Sequence, residues 1–186
     1  MIRRLLLVRH CESSGQAPDA PLTARGLEQA EALADRLAPL APDAAVSSPY
    51  LRAQQTVAPL AARLRAPLVI EPRLAERRLG EHGRDDWRAA VAASFDDLDL
   101  AFAGGESGRA VQARARDAVA EVLARGHRLP VLATHGNLLA LLLTSIDGHF
   151  GFRGWERLEN PDVFVLHAAP GGWSYTRWIG GALDVR

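Results

Sequence analysis

The chain predicts an α/β fold built on a mostly parallel sheet, and three features carry that expectation. Short apolar runs suited to strands recur through the first half: Leu5-Leu6-Leu7-Val8, Ala44-Ala45-Val46-Ser47 and Pro67-Leu68-Val69-Ile70. Between them, apolar residues fall at helical spacing: Leu27, Ala30, Leu33, Ala34 and Leu37 in one segment, and Ala53, Val57, Leu60, Ala61 and Leu64 in the next. Two apolar runs also end on a histidine, at the carboxyl end of a strand, where open α/β sheets gather their reactive groups. The first runs into Arg9-His10-Cys11-Glu12-Ser13, and the second, Leu129 to Thr134, runs into His135-Gly136-Asn137.

The elements follow in order. A polar, proline-containing loop after the first strand reaches Pro21. Leu22-Thr23 then opens a helix, with Thr23 as N-cap. Pro39 and Pro42 end it, residues 43–47 make the second strand, and Ser48-Pro49 starts the second helix. Residues 67–70 make the third strand. From 73 to 105 the pattern is irregular and charged, with a helical piece at 87–95, and such a stretch is expected to form a lid or specificity segment. Gly104-Gly105-Glu106-Ser107 precedes a helix with Val111, Ala115, Ala118, Val119 and Val122 on one face. The strand ending at His135 and the apolar helix 138–143 come next. Two strands, 163–167 and 173–179, close the chain around the turn Pro170-Gly171-Gly172.

The 186 residues suit one domain spanning 1–186, and no repeat or linker interrupts them. A formal net charge of zero gives no basic field of the kind nucleic-acid binders carry, so no nucleic-acid partner is expected. All 22 basic residues are arginine, so any cationic site here grips its ligand with a bidentate fork, and a lysine Schiff base is excluded. A single cysteine allows no internal disulfide, which fits a reducing, cytoplasmic compartment. The apolar run near the N-terminus is too short for a signal peptide, and no segment approaches the roughly 20 apolar residues of a membrane span.

Two strand-end histidines with an arginine beside the first point to an anionic, phosphorylated substrate. Breaking a phosphate ester needs charge neutralisation, an in-line nucleophile and a proton for the leaving oxygen. Arg9 and His10 share one strand end, Arg52 lies in the first turn of the second helix, and His135 precedes a helix start whose free N–H groups favour an anion. Glu76, after the third strand, could supply the proton.

These residues sit in six segments: Arg-His-Cys-Glu-Ser, Pro-Leu-Thr-Ala-Arg-Gly-Leu-Glu-Gln-Ala, Ser-Ser-Pro-Tyr-Leu-Arg-Ala-Gln-Gln-Thr, Leu-Ala-Glu-Arg-Arg-Leu-Gly, Gly-Gly-Glu-Ser and Thr-His-Gly-Asn. In that order and spacing they resemble the signatures of the histidine phosphatase superfamily, the phosphoglycerate-mutase-like group. The resemblance implies a three-layer α/β/α sandwich. It implies His10 as a nucleophile that forms a phosphohistidine, with Arg9, Arg52 and His135 holding the phosphoryl oxygens. Glu76 is implied as the acid and then the base, with no metal and no cofactor. Gln16, Gly136 and Asn137 are expected around the substrate, a small phosphorylated metabolite.

The chain departs from the family pattern in three places. Cys11 replaces a usual glycine, Gln16 stands near a usual asparagine, and Gly80-Glu81-His82-Gly83 lacks a tryptophan. No Cys-x5-Arg loop supports a cysteine nucleophile, so Cys11 reads as a small residue in a tight turn. Glu81 is the alternative acid and His82 a candidate pocket residue. Trp87 is a candidate substrate contact, whereas Trp155, Trp173 and Trp178 read as packing of the C-terminal strands. A phosphoglycerate mutase and a non-catalytic phosphate-binding module are the competing functions. The chain's length favours hydrolysis, since mutases of the family carry extra segments. No paired histidine spacing supports a metallohydrolase.

Overall fold

The computed structural model describes residues 3–80 and 85–183. Six strands form one sheet in the order β3-β2-β4-β1-β5-β6. They are β1 (Arg3–Arg9), β2 (Ala44–Ser47), β3 (Leu68–Ile70), β4 (Pro130–Thr134), β5 (Asp162–Ala169) and β6 (Gly172–Arg177). β3, β2, β4 and β1 pair in parallel, and β5 and β6 are antiparallel additions.

The run in β1 is continuously apolar because both faces of the sheet are covered. Successive side chains alternate between faces, so Leu5 and Leu7 enter one core and Leu6 and Val8 the other. The first core is closed by α4 (Gly108–Ala124) and α5 (Gly136–Asp147). The second is closed by α1 (Ala24–Leu37) and α2 (Leu51–Leu64). The layers are therefore those of an α/β/α sandwich.

Thr23 caps α1 as expected, accepting the Gly26 amide at 2.9 Å. Leu27 departs from the expected apolar face. It is 49% exposed, because the stripe that packs is Ala30, Leu33, Ala34 and Leu37. α2 begins at Leu51 rather than at Ser48, since the Ser48 amide is still held by the Ala133 carbonyl at the sheet edge. The irregular segment contains a 3-10 turn (Pro72–Leu74) and α3 (Trp87–Asp96). A short helix, α6 (Gly151–Glu156), has no counterpart in the sequence expectation. With two aromatic residues, Phe152 and Trp155, in six positions, it shows no periodicity to read.

Candidate active site

The parallel ladder continues one residue past the strands and sets the geometry of the site. The His10 amide donates to the Thr134 carbonyl at 3.0 Å, and the Ser48 amide to the Ala133 carbonyl at 2.9 Å. β1, β4 and β2 are neighbours, so His10, His135 and Ser48 stand side by side at one edge.

His10 is 5% exposed, and its Nδ1 lies 2.6 Å from the Cys11 carbonyl. A carbonyl only accepts, so we assign the ring hydrogen to Nδ1 and the lone pair to Nε2. Burial lowers its pKa to about 4, with Arg52 and Arg9 acting in the same direction and the Cys11 carbonyl opposing them. The imidazole is neutral at pH 7, with its lone pair on Nε2. The Arg52 Nε–H donates to that atom at 3.2 Å.

Arg52 is fully buried. One terminal nitrogen donates to the Gln16 and Ala17 carbonyls at 3.1 and 2.9 Å, and the other has no partner. Its guanidinium lies 4.9 Å from the centre of the Tyr50 ring, which in turn meets His135 edge-on at 4.9 Å. His135 Nε2 is 2.7 Å from the Ser48 hydroxyl, while Nδ1 is buried without a partner. We assign Nε2 as the acceptor and Nδ1–H as a free donor. Burial, then Arg52 and His10, keep this imidazole neutral, well below the ordinary histidine range. Its ring centre is 5.2 Å from that of His10.

Arg9 donates to the Leu158 carbonyl at 2.8 Å and leaves Nε without a partner. Its guanidinium passes over Gly136, where a Cβ would lie 3.1–3.2 Å from it, so any larger residue there would push Arg9 aside. Among the described residues, the buried side-chain nitrogen and oxygen atoms without a hydrogen-bond partner are Arg9 Nε, Arg52's second terminal nitrogen, His135 Nδ1 and Asn137 Oδ1. Such groups are costly to bury and need a reason. Three of the four are donors belonging to the residues expected to hold a phosphoryl group.

Glu76 corrects one expectation. The start of α5 is not an open anion site. The Glu76 carboxylate accepts from the amides of Asn137 and Leu138 at 3.1 and 3.0 Å, and from that of Arg77 at 2.8 Å. The carboxylate takes two of the first amides of α5, which would otherwise be open to the substrate. It still lines the same cavity as Arg9, His10, Gln16, Gly136 and Asn137. Gln16 is exposed there and contributes its carbonyl to Arg52. Glu81 and His82 lie outside the described residues.

Arg114 is a residue the sequence expectation missed. It forms a fork with Glu106 at 2.9 and 3.1 Å and donates to the Arg73 and Ala75 carbonyls at 2.6 and 2.8 Å. Glu106 also accepts the Arg78 amide at 3.0 Å. A Cβ on Gly105 would lie 2.8–2.9 Å from backbone atoms of residues 78–80. The Gly-Gly-Glu-Ser segment thus clamps the loop that carries Glu76. Its signal was present in the sequence, but its partner was not, because Arg114 is one of 22 arginines.

Cys11 is fully buried, and burial pushes its thiol up to about 11. Trp155 belongs to α6, where it packs against the core that includes Phe164 and Leu166 of β5, and it also lines the cavity together with Trp87. Among the described residues, no group of three or more His, Cys, Asp or Glu is arranged to hold a metal ion. No helix among them is long and apolar enough to cross a membrane.

A sequence profile described as histidine phosphatase superfamily (branch 1) matches residues 5–180. The chain belongs to that superfamily. A probable phosphoglycerate mutase, GpmB, of Enterobacter sp. (strain 638) is 27% identical over 196 residues, covering 95% of this chain and 90% of its own. A metal-independent phosphoserine phosphatase of Arabidopsis thaliana is 30% identical over 198 residues, covering 95% of this chain and 81% of its own. The native structure of a mycobacterial glucosyl-3-phosphoglycerate phosphatase superposes with a TM-score of 0.80 at 29% identity, covering 97% of this chain and all of its own. One glycine of these ordered segments has a physical reason here. A Cβ on Gly26 would lie 2.0 Å from the Glu12 carbonyl oxygen, so the first turn of α1 can approach the Arg-His-Cys-Glu segment only through a glycine.

Proposed function

We propose that the chain is a metal-independent phosphomonoesterase that hydrolyses a small phosphorylated metabolite through a phosphohistidine at His10. The observation that carries this reading is the state of His10. Its imidazole is neutral, Nδ1–H is committed to the Cys11 carbonyl, and the Nε2 lone pair is set against Arg52, with partnerless donors on Arg9, Arg52 and His135 around it.

The Nε2 lone pair attacks phosphorus as the ester P–O bond breaks, and Glu76 gives its proton to the leaving oxygen. Arg9, Arg52 and His135 hold the equatorial oxygens, and Arg52 Nε–H passes from Nε2 to one of them. Water then attacks phosphorus, the N–P bond returns its electron pair to Nε2, and the Glu76 carboxylate takes the proton from water.

The relative described as a probable phosphoglycerate mutase supports a second reading, in which a hydroxyl replaces the water. Rapid quench with a labelled monoester separates the two. Hydrolysis gives an acid-labile, base-stable label on wild-type protein, followed by stoichiometric inorganic phosphate. A mutase returns the label to an organic acid. His10→Ala is expected to lose both label and turnover, and full activity in that variant would overturn the proposal.

A further inference from the structure

The cavity has two chemically opposite ends. Its volume is about 380 Å³, room for a phosphoryl group and a ring system. Arg9, His10 and Glu76 make one end, while Leu79, Trp87, Val91 and Trp155 make the other. Trp87 is 51% exposed, unusual for so large an apolar side chain, and its ring meets Trp155 edge-on at 6.0 Å. Trp155 is held from behind by Phe152, stacked at 5.4 Å with 21° between the planes. Arg88 of α3 pairs with Glu156 of α6, which keeps the two tryptophan-bearing helices together.

A second anionic group on the substrate would need a cation at this end. Besides Arg9, Arg77 is the cation among the described residues that line the cavity, and its nitrogens are spent inside the protein. They donate to the Glu106 carbonyl at 3.0 Å, the Ser94 hydroxyl at 2.6 Å and the Leu100 carbonyl at 3.4 Å. Among the described residues lining the cavity, charge for a ligand is concentrated at the phosphoryl end.

We propose that Trp87 and Trp155 form a specificity wall that takes the organic part of the substrate, and that this part is a flat, uncharged ring rather than a small phospho-acid. The inference rests on the phosphomonoesterase reading above. Ring stacking on an aromatic side chain of this kind is worth about 5- to 100-fold in binding.

The test compares three esters of primary alcohols: 2-naphthylmethyl phosphate, ethyl phosphate and 3-phosphoglycerate. Wild type is expected to favour the naphthylmethyl ester over the other two by about tenfold or more in kcat/KM. Trp87→Ala and Trp155→Ala should pull the naphthylmethyl-to-ethyl ratio towards one, and Trp87→Phe should restore most of it. A wild-type preference for 3-phosphoglycerate, or a wild-type ratio in Trp87→Ala, overturns the proposal. If wild type hydrolyses none of these esters nor p-nitrophenyl phosphate, the phosphomonoesterase reading fails by itself. Calorimetric binding of 2-naphthylmethylphosphonate then decides the wall: tighter binding by wild type than by Trp87→Ala upholds it, and equal affinity overturns it.

Discussion

The two ends of the cavity are built in different ways. At the phosphoryl end, His10, His135 and Ser48 directly follow neighbouring parallel strands, and backbone hydrogen bonds from His10 and Ser48 to β4 fix their places. The tryptophans of the aromatic end come from α3 and α6, which among the described residues meet through side chains. A strand end can place a reactive atom to within the tolerance that chemistry needs, because the ladder holds the backbone. A pair of short helices can hold only a surface, which is enough for recognising shape. Glu76 falls between these cases: its carboxylate is tied to the α5 backbone, but its loop is held by the Arg114–Glu106 fork.

The sharpest way to break this contrast is at Glu76. Glu76→Gln is expected to lose about 10²- to 10⁴-fold on alkyl phosphates. The loss on p-nitrophenyl phosphate should be far smaller, since that leaving group needs little protonation. Steady-state kcat on the two substrates is the measurement, and equal losses would assign Glu76 a purely structural role. Arg52→Lys should cost about 10²- to 10³-fold on both, because a point charge cannot satisfy the Gln16 and Ala17 carbonyls and still reach a phosphoryl oxygen.

Arg114 tests whether the intermediate region acts through position. Arg114→Ala is expected to reduce kcat by about 10- to 100-fold on alkyl esters. It should spare the aryl ester as Glu76→Gln does, and the double variant should be little worse than Glu76→Gln alone. An additive loss on both esters would mean that Arg114 merely supports the fold.

pH sharpens the strand-end side. His10 titrates near 4 in the folded protein and near 6.5 unfolded, so the unfolded chain takes up the proton first. The stability that His10 contributes is present in full above pH 6.5 and is lost as pH falls towards 4. The total is on the order of 3 kcal/mol. Urea midpoints at pH 7.5 and 5 should fall further for wild type than for His10→Gln, and parallel falls would contradict a buried neutral ring. The smallest effect is expected at Cys11. Its thiol is protonated at neutral pH, so Cys11→Ala should keep kcat/KM within about threefold. A loss of several orders of magnitude would move the nucleophile from His10 to Cys11.

What could be read before the fold was known follows the same division. The β1 run and the Thr23 N-cap were legible because periodicity and capping are local properties. The places of His10, Arg9, Arg52 and His135 in the fold were legible because each sits at a strand end or helix start marked by its own neighbours. Leu27 was misread because helical spacing alone does not say where the stripe ends. The place of Trp155 on the cavity was not legible because α6 is too short to show a period.

The layers and the family are readable from the amino-acid order alone. Each of those follows from short-range pattern or from ordered motifs. Packing on the sheet is what brings Glu76 to the first amides of α5, sets Arg114 against the loop that carries it, and puts Trp87 and Trp155 together on one cavity. Those facts join residues 61, 41 and 68 positions apart, taking Glu76–Asn137, Arg73–Arg114 and Trp87–Trp155 in turn. Contacts over such separations depend on how helices and loops pack on the sheet, and no local signal encodes that.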